Sequence, residues 1–280
     1  MTLIRYPGSK AKLYRPLNEL MPSSVTRPLW ACGACEYREP FFGAGAVGFR
    51  ILKDLHHKCS VWLNDIDEEM SCLWLAVRDE PQELIELVRS FTPTIEAFYD
   101  FKERDGECLD GVAPRGFRKL ALHRMSISGF GAKSGGPIGG KEQLGKQYQV
   151  GCRWTPDTIA SEIARLSNRM SYFAGLKITH GDFAPLVIDA PAHAFIYCDP
   201  PYYEKGHQLY KYAMSQADHE RLAEALRAVK CQWVLSYDDH QEIRRLYSWA
   251  TIKTLPATYS NAVAKPKSQR PVRMEVAITP

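Results

Sequence analysis

The sequence predicts an α/β protein whose parallel sheet is covered by helices and interrupted by a smaller inserted lobe. Short apolar segments typical of buried strands alternate with segments of helical spacing along most of the 280 residues. A glycine-rich turn follows the first predicted strand and opens a helix. The alternation stops between about residues 103 and 154, where glycines and basic residues concentrate. This stretch is the predicted inserted lobe.

The N-terminal part begins with a short helix predicted over 11–21, which Pro22 ends because proline cannot donate the next helical hydrogen bond. A strand is predicted over 36–42, where it runs into glycines, and residues 47–55 then show helical spacing. The next predicted elements are a strand over 60–63 and helices over 81–91 and 95–102.

Eight glycines between residues 129 and 151 favour loops or hairpins over a helix. Helical spacing returns at Pro156, where Thr155 is the predicted cap of a helix that reaches about residue 173. The remaining predicted strands are 176–179, 194–198, 233–236 and 273–278, with a helix over 216–229.

The glycine turn and an acid beyond it predict a nucleoside-binding edge. Residues 43–48 fit G-x-G-x-x-G between a strand and a helix, and Asp65 lies 20 residues past Gly45, at the end of the next strand. Glycines let the backbone approach a ligand, and a carboxylate one strand away accepts hydrogen bonds from ribose hydroxyls. The turn alone does not separate a dinucleotide from S-adenosylmethionine.

The segment Asp-Pro-Pro-Tyr at 199–202 distinguishes between a dinucleotide and S-adenosylmethionine. It ends a buried strand in a rigid corner at the ligand-binding edge of the sheet. Asp199 supplies an acceptor, the carbonyls of Asp199 and Pro200 cannot be used by a continuing strand, and Tyr202 supplies a flat face. An exocyclic amino group needs acceptors for its two hydrogens and a stacking surface for its ring. The corner therefore predicts chemistry on an amino group.

Together with these two motifs, three further segments make the chain resemble the Dam-type DNA adenine-N6 methyltransferases of bacteria and phages. The segments are Arg-Tyr-Pro-Gly-Ser-Lys at 5–10, Asn-Asp-Ile-Asp at 64–67 and Gly-Asp-Phe at 181–183. The resemblance covers nearly the whole chain. It implies a Rossmann-like S-adenosylmethionine-dependent catalytic domain, formed by residues 1–75 and 155–280, and a target-recognition insertion over 76–154.

The resemblance also implies a role for each matching residue. Asp199, Pro200, Pro201 and Tyr202 are the expected catalytic residues, with Asp199 bridging cofactor and target and Tyr202 stacking on an adenine extruded from the duplex. The expected S-adenosylmethionine contacts are Tyr6 and Lys10 on the methionine side, Phe41, Gly43 and Gly45 in the turn, Asp65 on the ribose, Asp182 and Phe183 near the adenine, and Asp199.

The inserted lobe is predicted to bind DNA. Eight basic residues and one acid, Glu142, lie between residues 112 and 153, whereas the whole chain has a net charge of +4. Met125 and Ser126 stand where GATC-reading relatives have Tyr and Asn. A shorter or relaxed DNA recognition sequence around adenine is therefore at least as strong an expectation as GATC. The predicted DNA contacts are Arg115, Arg118, Lys119, Arg124 and Lys133.

The composition, 45% hydrophobic and 24% charged, excludes disordered and fibrous chains. No apolar run approaches the roughly 18–20 residues that span a bilayer, and the N-terminus lacks the apolar segment of a secretory signal. We therefore expect a cytoplasmic protein without a membrane partner.

The eight cysteines are expected to be thiols, since the C-x-x-C at Cys32 and Cys35 has no second pair to complete a zinc site. A cognate restriction endonuclease is a candidate partner.

Other functions stay open from the residues alone. The glycine turn by itself is also typical of NAD- or FAD-dependent oxidoreductases, although that function leaves the Asp-Pro-Pro-Tyr corner unexplained. A non-catalytic DNA-binding module with the same fold is a second alternative. Within the methyltransferases, the corner specifies an amino group better than a molecule, so cytosine N4, RNA and protein amides remain alternative targets.

Overall fold

In a computed structural model, the structure describes residues 3–4, 10, 13–21, 35–107, 109–204, 206–258 and 272–280. These residues form one sheet whose strands are β1 (Glu36–Glu39), β2 (Ser60–Asp65), β3 (Leu176–His180), β4 (Ala194–Cys198), β5 (Gln232–Asp238), β6 (Thr251–Thr258) and β7 (Val272–Thr279). The strand order is β3-β2-β1-β4-β5-β7-β6. Strands β1 to β5 are parallel, whereas β7 lies antiparallel between β5 and β6.

Helices cover this sheet and connect its strands. In the described ranges they are α1 (Tyr14–Asn18), α2 (Gly48–Asp54), α3 (Glu68–Asp79), α4 (Pro81–Ser90), α5 (Ile95–Glu103), α6 (Val112–Met125), α7 (Pro156–Met170), α8 (Ala184–Ile188), α9 (Gly206–Leu209), α10 (Gln216–Ala228) and α11 (Gln241–Leu246). The predicted Rossmann-like α/β core is confirmed. The predicted strands are all present, and β4 coincides with its prediction, but the sheet is not parallel throughout because β7 is reversed.

Two long helices, α3 and α6, were not predicted. Both are buried on nearly every side, so neither shows the apolar stripe of a surface helix. Pro114 and Gly116 also argue against a helix locally. Pro114 lies in the first turn of α6, where its missing N–H has no helical partner. Gly116 lets α6 approach α3, since a Cβ there would lie 2.6 Å from the Cα of Leu73.

The predicted inserted lobe consists of two different parts. Helices α4, α5 and α6 contribute to the same hydrophobic cluster as β1 and β2, through side chains such as Leu84, Phe98 and Leu120. The glycine-rich segment, defined here as residues 127–150, contains only two short 3-10 turns, as its glycines predict. Its base is fixed to the end of α6, where the N–H of Ile138 donates to the carbonyl of Met125 at 2.9 Å.

The expectation that all cysteines are thiols is wrong for one pair, because a disulfide joins Cys35 at the start of β1 to Cys59 at the start of β2. Cys32 lies outside the described residues.

In the described ranges, no three His, Cys, Asp or Glu side chains are grouped to hold a metal ion. None of the helices in those ranges combines the length and hydropathy that crossing a lipid bilayer requires.

Candidate active site

Three loops that carry predicted site residues meet at one edge of the sheet. The glycine turn follows β1, Asp65 ends β2, and the corner at 199–202 follows β4. Since β1 lies between β2 and β4 and the three strands are parallel, their carboxyl ends are adjacent. Ligands bind at this edge in open α/β sheets.

The glycine turn needs its glycines for both conformation and space. Gly43 and Gly45 have positive φ angles of 48° and 64°. A Cβ on Gly45 would lie 2.5 Å from the ring of Phe49. The indole N–H of Trp74, on α3, donates to the Gly43 carbonyl at 2.7 Å. The turn is therefore held closely against the helices behind it, and its outer side faces the cavity described below.

Asp65 is buried beside this turn. Its carboxylate accepts the backbone N–H groups of Gly43 at 2.7 Å and of Asp67 at 2.9 Å. Burial, followed by the nearby charge of Asp67, raises the pKa of Asp65 to about 6 despite those hydrogen bonds and the charge of Lys119. A carboxylate has about four lone-pair sites. Asp65 can therefore accept further hydrogen bonds from a ligand.

Two ion pairs between α3 and α6 support the same edge. Asp67 caps α3 by accepting the N–H groups of Glu69 and Met70 at 3.1 and 3.3 Å, and it also pairs with Lys119 of α6. Glu69, two residues further along α3, pairs with Arg118, which precedes Lys119 in α6. All four charged side chains are buried. Removing one charge would leave its partner unpaired away from water, which is costly.

Aromatic rings form the other wall of the site. The ring centroids of Phe41 and Phe183 are 5.4 Å apart. The guanidinium of Arg221 lies 4.6 Å from the Phe183 centroid and pairs with Asp182 at 2.6 Å. Such an apolar surface with polar groups at its margin suits a flat heteroaromatic ring.

At the corner after β4, Asp199 forms an ion pair with a buried lysine. The Nζ of Lys10 lies 2.7 Å from Oδ1 of Asp199, and the hydroxyl of Ser236 donates to the same oxygen at 3.0 Å. Burial alone would lower the pKa of Lys10, but attraction to Asp199, Tyr202 and Glu275 outweighs burial and raises it well above its usual value. Lys10 is therefore a permanent cation beside Asp199.

Tyr202 is buried in this structure, with 5% of its surface exposed. Its hydroxyl donates to Glu275 at 2.9 Å, and Lys10 lies 4.7 Å from its ring centroid. The ring of Tyr210 stands nearly perpendicular to it, with centroids 6.3 Å apart. The expected open stacking face is therefore covered, and a base can reach Tyr202 only after a neighbouring side chain moves.

A cavity of about 140 Å³ opens between these loops. The predicted site residues that line it are Phe41, Gly43, Asp65, Asp182, Phe183, Asp199 and Pro201. Lys10 and Tyr202 contact each other and Asp199 or its neighbours but do not line the cavity. Gly45 and Pro200 do not line it either; they belong to the glycine turn and to the corner at 199–202. Tyr6 lies outside the described residues.

The structure corrects most of the predicted DNA contacts. Arg118 and Lys119 are buried and pair with α3, and Arg124 is buried and donates to the carbonyls of Leu3 at 3.0 Å and Arg153 at 2.9 Å. These three side chains therefore do not lie where a phosphate can reach them. Arg115 is mostly buried and pairs with Glu68 at 2.7 Å, whereas Lys133 is exposed.

Several residues of the site were not predicted, and Glu275 is the most informative of them. A signal for it exists, since a charged residue at an inward position of an alternating strand is unusual. Ser236 carries no such signal, because its role depends on β5 lying beside β4. Arg221 lies on α10, a predicted helix whose position against Phe183 no local pattern predicts.

Residues 6–261 match the family model of the D12 class N6 adenine-specific DNA methyltransferases. A Type II methyltransferase of Lactococcus lactis subsp. cremoris, M1.LlaDCHI, is 25% identical over 204 residues, which are 71% of this chain and 64% of that protein. The match thus spans less than two thirds of the lactococcal relative's length. A second Type II methyltransferase, M.MjaIII of Methanocaldococcus jannaschii, is 25% identical over 212 residues, 71% of this chain and 68% of that protein.

Among solved structures, the chain is similar to the rRNA methyltransferase aviRa from Streptomyces viridochromogenes. The TM-score is 0.37 at 14% sequence identity, over 98% of this chain and 86% of the other.

Proposed function

Because the chain belongs to the D12 class N6 adenine-specific DNA methyltransferases, we propose that it methylates N6 of an adenine extruded from duplex DNA, with S-adenosylmethionine as the methyl donor. The observation that carries the proposal is the meeting of the Asp199 corner, Asp65 and the Phe183 wall around one cavity. Family membership supports this activity over an oxidoreductase. It also supports adenine over cytosine, RNA or protein amides.

The residues around the cavity fit S-adenosylmethionine. Asp65 would accept its ribose hydroxyls, Phe41 and Phe183 would contact its adenine, and the turn at Gly43 admits a close backbone approach. Lys10, beside Asp199, would lie toward its methionine end. When bound, the cofactor supplies a methyl group activated for nucleophilic attack.

The corner would hold the target amino group and stabilise its growing positive charge. Asp199 and the Pro200 carbonyl would accept the two N6 hydrogens, which aligns the nitrogen for attack. Since Lys10 and Ser236 both fix Oδ1 of Asp199, the carboxylate is oriented before the substrate arrives. No covalent enzyme intermediate is needed, because the amino nitrogen is itself the nucleophile.

We also propose that Tyr210 leaves its place against Tyr202 when the extruded base enters. Tyr210 lines both the main cavity and a narrow recess shared with Lys133 and Lys211. Lys211 pairs with Asp105 at 2.7 Å and thereby ties this segment to the inserted lobe. Stacking on Tyr202 would offset part of the few kcal/mol that extrusion costs.

The glycine-rich segment is the DNA-contacting surface in this proposal. Its lysines, Lys133, Lys141 and Lys146, are exposed. Leu144 is 90% exposed and Tyr148 60% exposed. Cations interleaved with apolar and aromatic side chains suit a nucleic-acid backbone and its base steps. This surface replaces Arg118, Lys119 and Arg124 as the phosphate-contacting set.

The test is sequencing that detects modified bases in DNA from a methylation-free host that expresses the protein. We expect N6-methyladenine in one consistent sequence context, which also reveals the recognition site. The Asp199→Asn variant should lower methylation by at least about 100-fold. Its uncharged amide can neither stabilise the positive charge that develops on the amino group nor form an ion pair with Lys10.

The matched control is Asp189→Asn, an exposed carboxylate that is not part of the cavity. It should methylate like the wild type. If the host that expresses the wild-type protein contains no modified adenine while the purified protein binds S-adenosylmethionine, duplex DNA is contradicted as the substrate. Full activity of Asp199→Asn would contradict the mechanism.

A further inference from the structure

Strand β7 brings a buried carboxylate to the back of the catalytic corner. Glu275 is 1% exposed. In the sheet it lies opposite Asp238 of β5 and Leu255 of β6. A buried carboxylate on a central strand requires polar partners, because taking a charge out of water is expensive.

The partners of Glu275 are the groups that surround the reacting centre. The Tyr202 hydroxyl donates to Oε1 at 2.9 Å, and Nζ of Lys10 lies 3.7 Å from Oε2. The same Nζ lies 2.7 Å from Asp199. One ammonium is thus shared between two carboxylates, although Asp199 holds it more closely.

We propose that Glu275 is a positioning residue that gives this corner the net negative charge required for methyl transfer to the amino group. The inference rests on the proposed function. Lys10 and Asp199 alone form a neutral pair. Ionised Glu275 makes the three-residue group singly negative, and it also holds the Tyr202 ring through its hydroxyl.

The charge matters because of how charge moves in the reaction. As the sulfur–methyl bond breaks and the nitrogen–methyl bond forms, the positive charge of the sulfonium passes to N6, which then loses a proton to water. A singly negative corner stabilises that charge where it develops, and the burial of Lys10 and Glu275 strengthens the effect of their charges. With Glu275 protonated, the corner is neutral and this stabilisation is smaller.

The surroundings of Glu275 place its ionisation near neutral pH. Burial, opposed by the charge of Lys10, raises the pKa of Glu275 to about 7, with Asp199 raising it further and the Tyr202 hydrogen bond lowering it. Asp238 on β5 also raises it. Tyr210, in the loop after the corner, also lies close enough to Glu275 to feel its charge. The turnover rate is therefore expected to rise with pH through about 7.

The test compares wild type, Glu275→Gln and Glu275→Asp in single-turnover methylation of duplex DNA carrying the recognition site, between pH 5.5 and 9, with S-adenosylmethionine saturating at each pH so that the ionisation of Asp65 does not limit the rate. Glutamine resembles the protonated carboxyl in shape and can still accept from Tyr202, so Glu275→Gln should fold as the wild type does at low pH. We expect it to lower the rate about tenfold or more above pH 7 and to abolish the rise through pH 7. Glu275→Asp should retain part of that rise, and Glu224→Gln, an exposed control on α10, should leave the profile unchanged.

A rise through pH 7 that persists in Glu275→Gln would overturn the proposal. A second readout does not depend on activity, namely urea unfolding as a function of pH. Because the folded pKa is raised, ionisation of Glu275 disfavours the folded state, and wild-type stability should fall as pH rises from about 4.5 to 7. Asp65, whose pKa is also raised, contributes part of this fall in both proteins. A smaller fall in Glu275→Gln than in the wild type therefore supports the buried titration, and an equal fall counts against it. If the wild type methylates no adenine, the proposed function fails, and the unfolding series still reports on Glu275.

Discussion

Helix α6 and the glycine-rich segment that follows it are the two halves of one basic stretch, but their cations have opposite environments. In α6, Arg118 and Lys119 are buried against acids of α3. In the glycine-rich segment, Lys133, Lys141 and Lys146 are exposed. Positive charge in a sequence therefore does not tell whether its counter-charge lies in the protein or in a ligand.

The difference follows from the partners that the fold supplies. The close approach of Gly116 to Leu73 brings α6 against α3, where Asp67 and Glu69 point toward it. The glycine-rich segment has Glu142 as its one acid. Its cations are thus available to an external polyanion, whereas Arg118 and Lys119 of α6 stabilise the edge of the sheet at Asp65.

The largest expected effect comes from breaking a buried pair in α6. Arg118→Met should lower the free energy of unfolding by about 3–5 kcal/mol, because Glu69 would be left as an unpaired buried charge. The measurement is urea unfolding followed by circular dichroism. Lys133→Met in the glycine-rich segment is the control and should change stability by less than about 0.5 kcal/mol. Equal effects would remove the distinction between the two halves.

A smaller effect is expected from filling the contact between α6 and α3. Gly116→Ala places a methyl group 2.6 Å from the Cα of Leu73, where backbone must shift. Overpacking of this kind costs about 1–3 kcal/mol, against a gain of about 1 kcal/mol in helix propensity, so we expect a net loss of stability. Gly135→Ala, with nothing within 4 Å of the added atom, should be nearly neutral. A stabilised Gly116→Ala would show that the helices are less closely packed than described.

The charge of α6 should also be visible in cofactor binding. In the proposed site ionised Asp65 accepts both ribose hydroxyls, so affinity for S-adenosylmethionine should be nearly constant above about pH 7 and fall as pH decreases through the pKa of about 6. One pH unit below, the loss approaches tenfold, or about 1.4 kcal/mol. Calorimetric titration between pH 4.5 and 8 measures it.

Asp65→Asn should bind weakly with no such pH dependence. Lys119→Met should move the fall to higher pH, since the charge of Lys119 lowers the pKa of Asp65. A fall at unchanged pH in Lys119→Met would mean that the charge of α6 does not act on Asp65.

The smallest effect on the protein itself is expected in the glycine-rich segment. Lys146→Ala should leave unfolding unchanged within about 0.5 kcal/mol, yet reduce the slope of log affinity for duplex DNA against log salt by about one. Fluorescence anisotropy between 50 and 200 mM salt measures the slope. Glu142→Gln, on the same segment, should not reduce it. An unaltered slope in Lys146→Ala would place the DNA elsewhere.

Local patterns predicted much of this fold and site. The β4 strand, the glycine turn and Asp65 were predicted correctly in position, because apolar runs, glycines and proline corners impose their geometry within a few residues. Helix α6 was missed because burial on all sides removes helical periodicity, and Arg118 was assigned to DNA because the location of Glu69 is a property of tertiary packing. Ser236 and Glu275 reach Asp199 and Tyr202 only through strand order.

The position of β7 has a consequence for the order in which the protein assembles. Strand β7 is translated after β6 but lies between β5 and β6 in the sheet. While a ribosome is still synthesising residues 272–279, β6 has no neighbour on the sheet to pair with, and Glu275 does not yet exist. The nascent chain can therefore form the edge of the sheet around β1, β2 and β4 well before Glu275 joins Lys10 and Asp199. Vectorial synthesis would then delay completion of the charged corner until β7 inserts, after the proposed cofactor-binding residues are already in place.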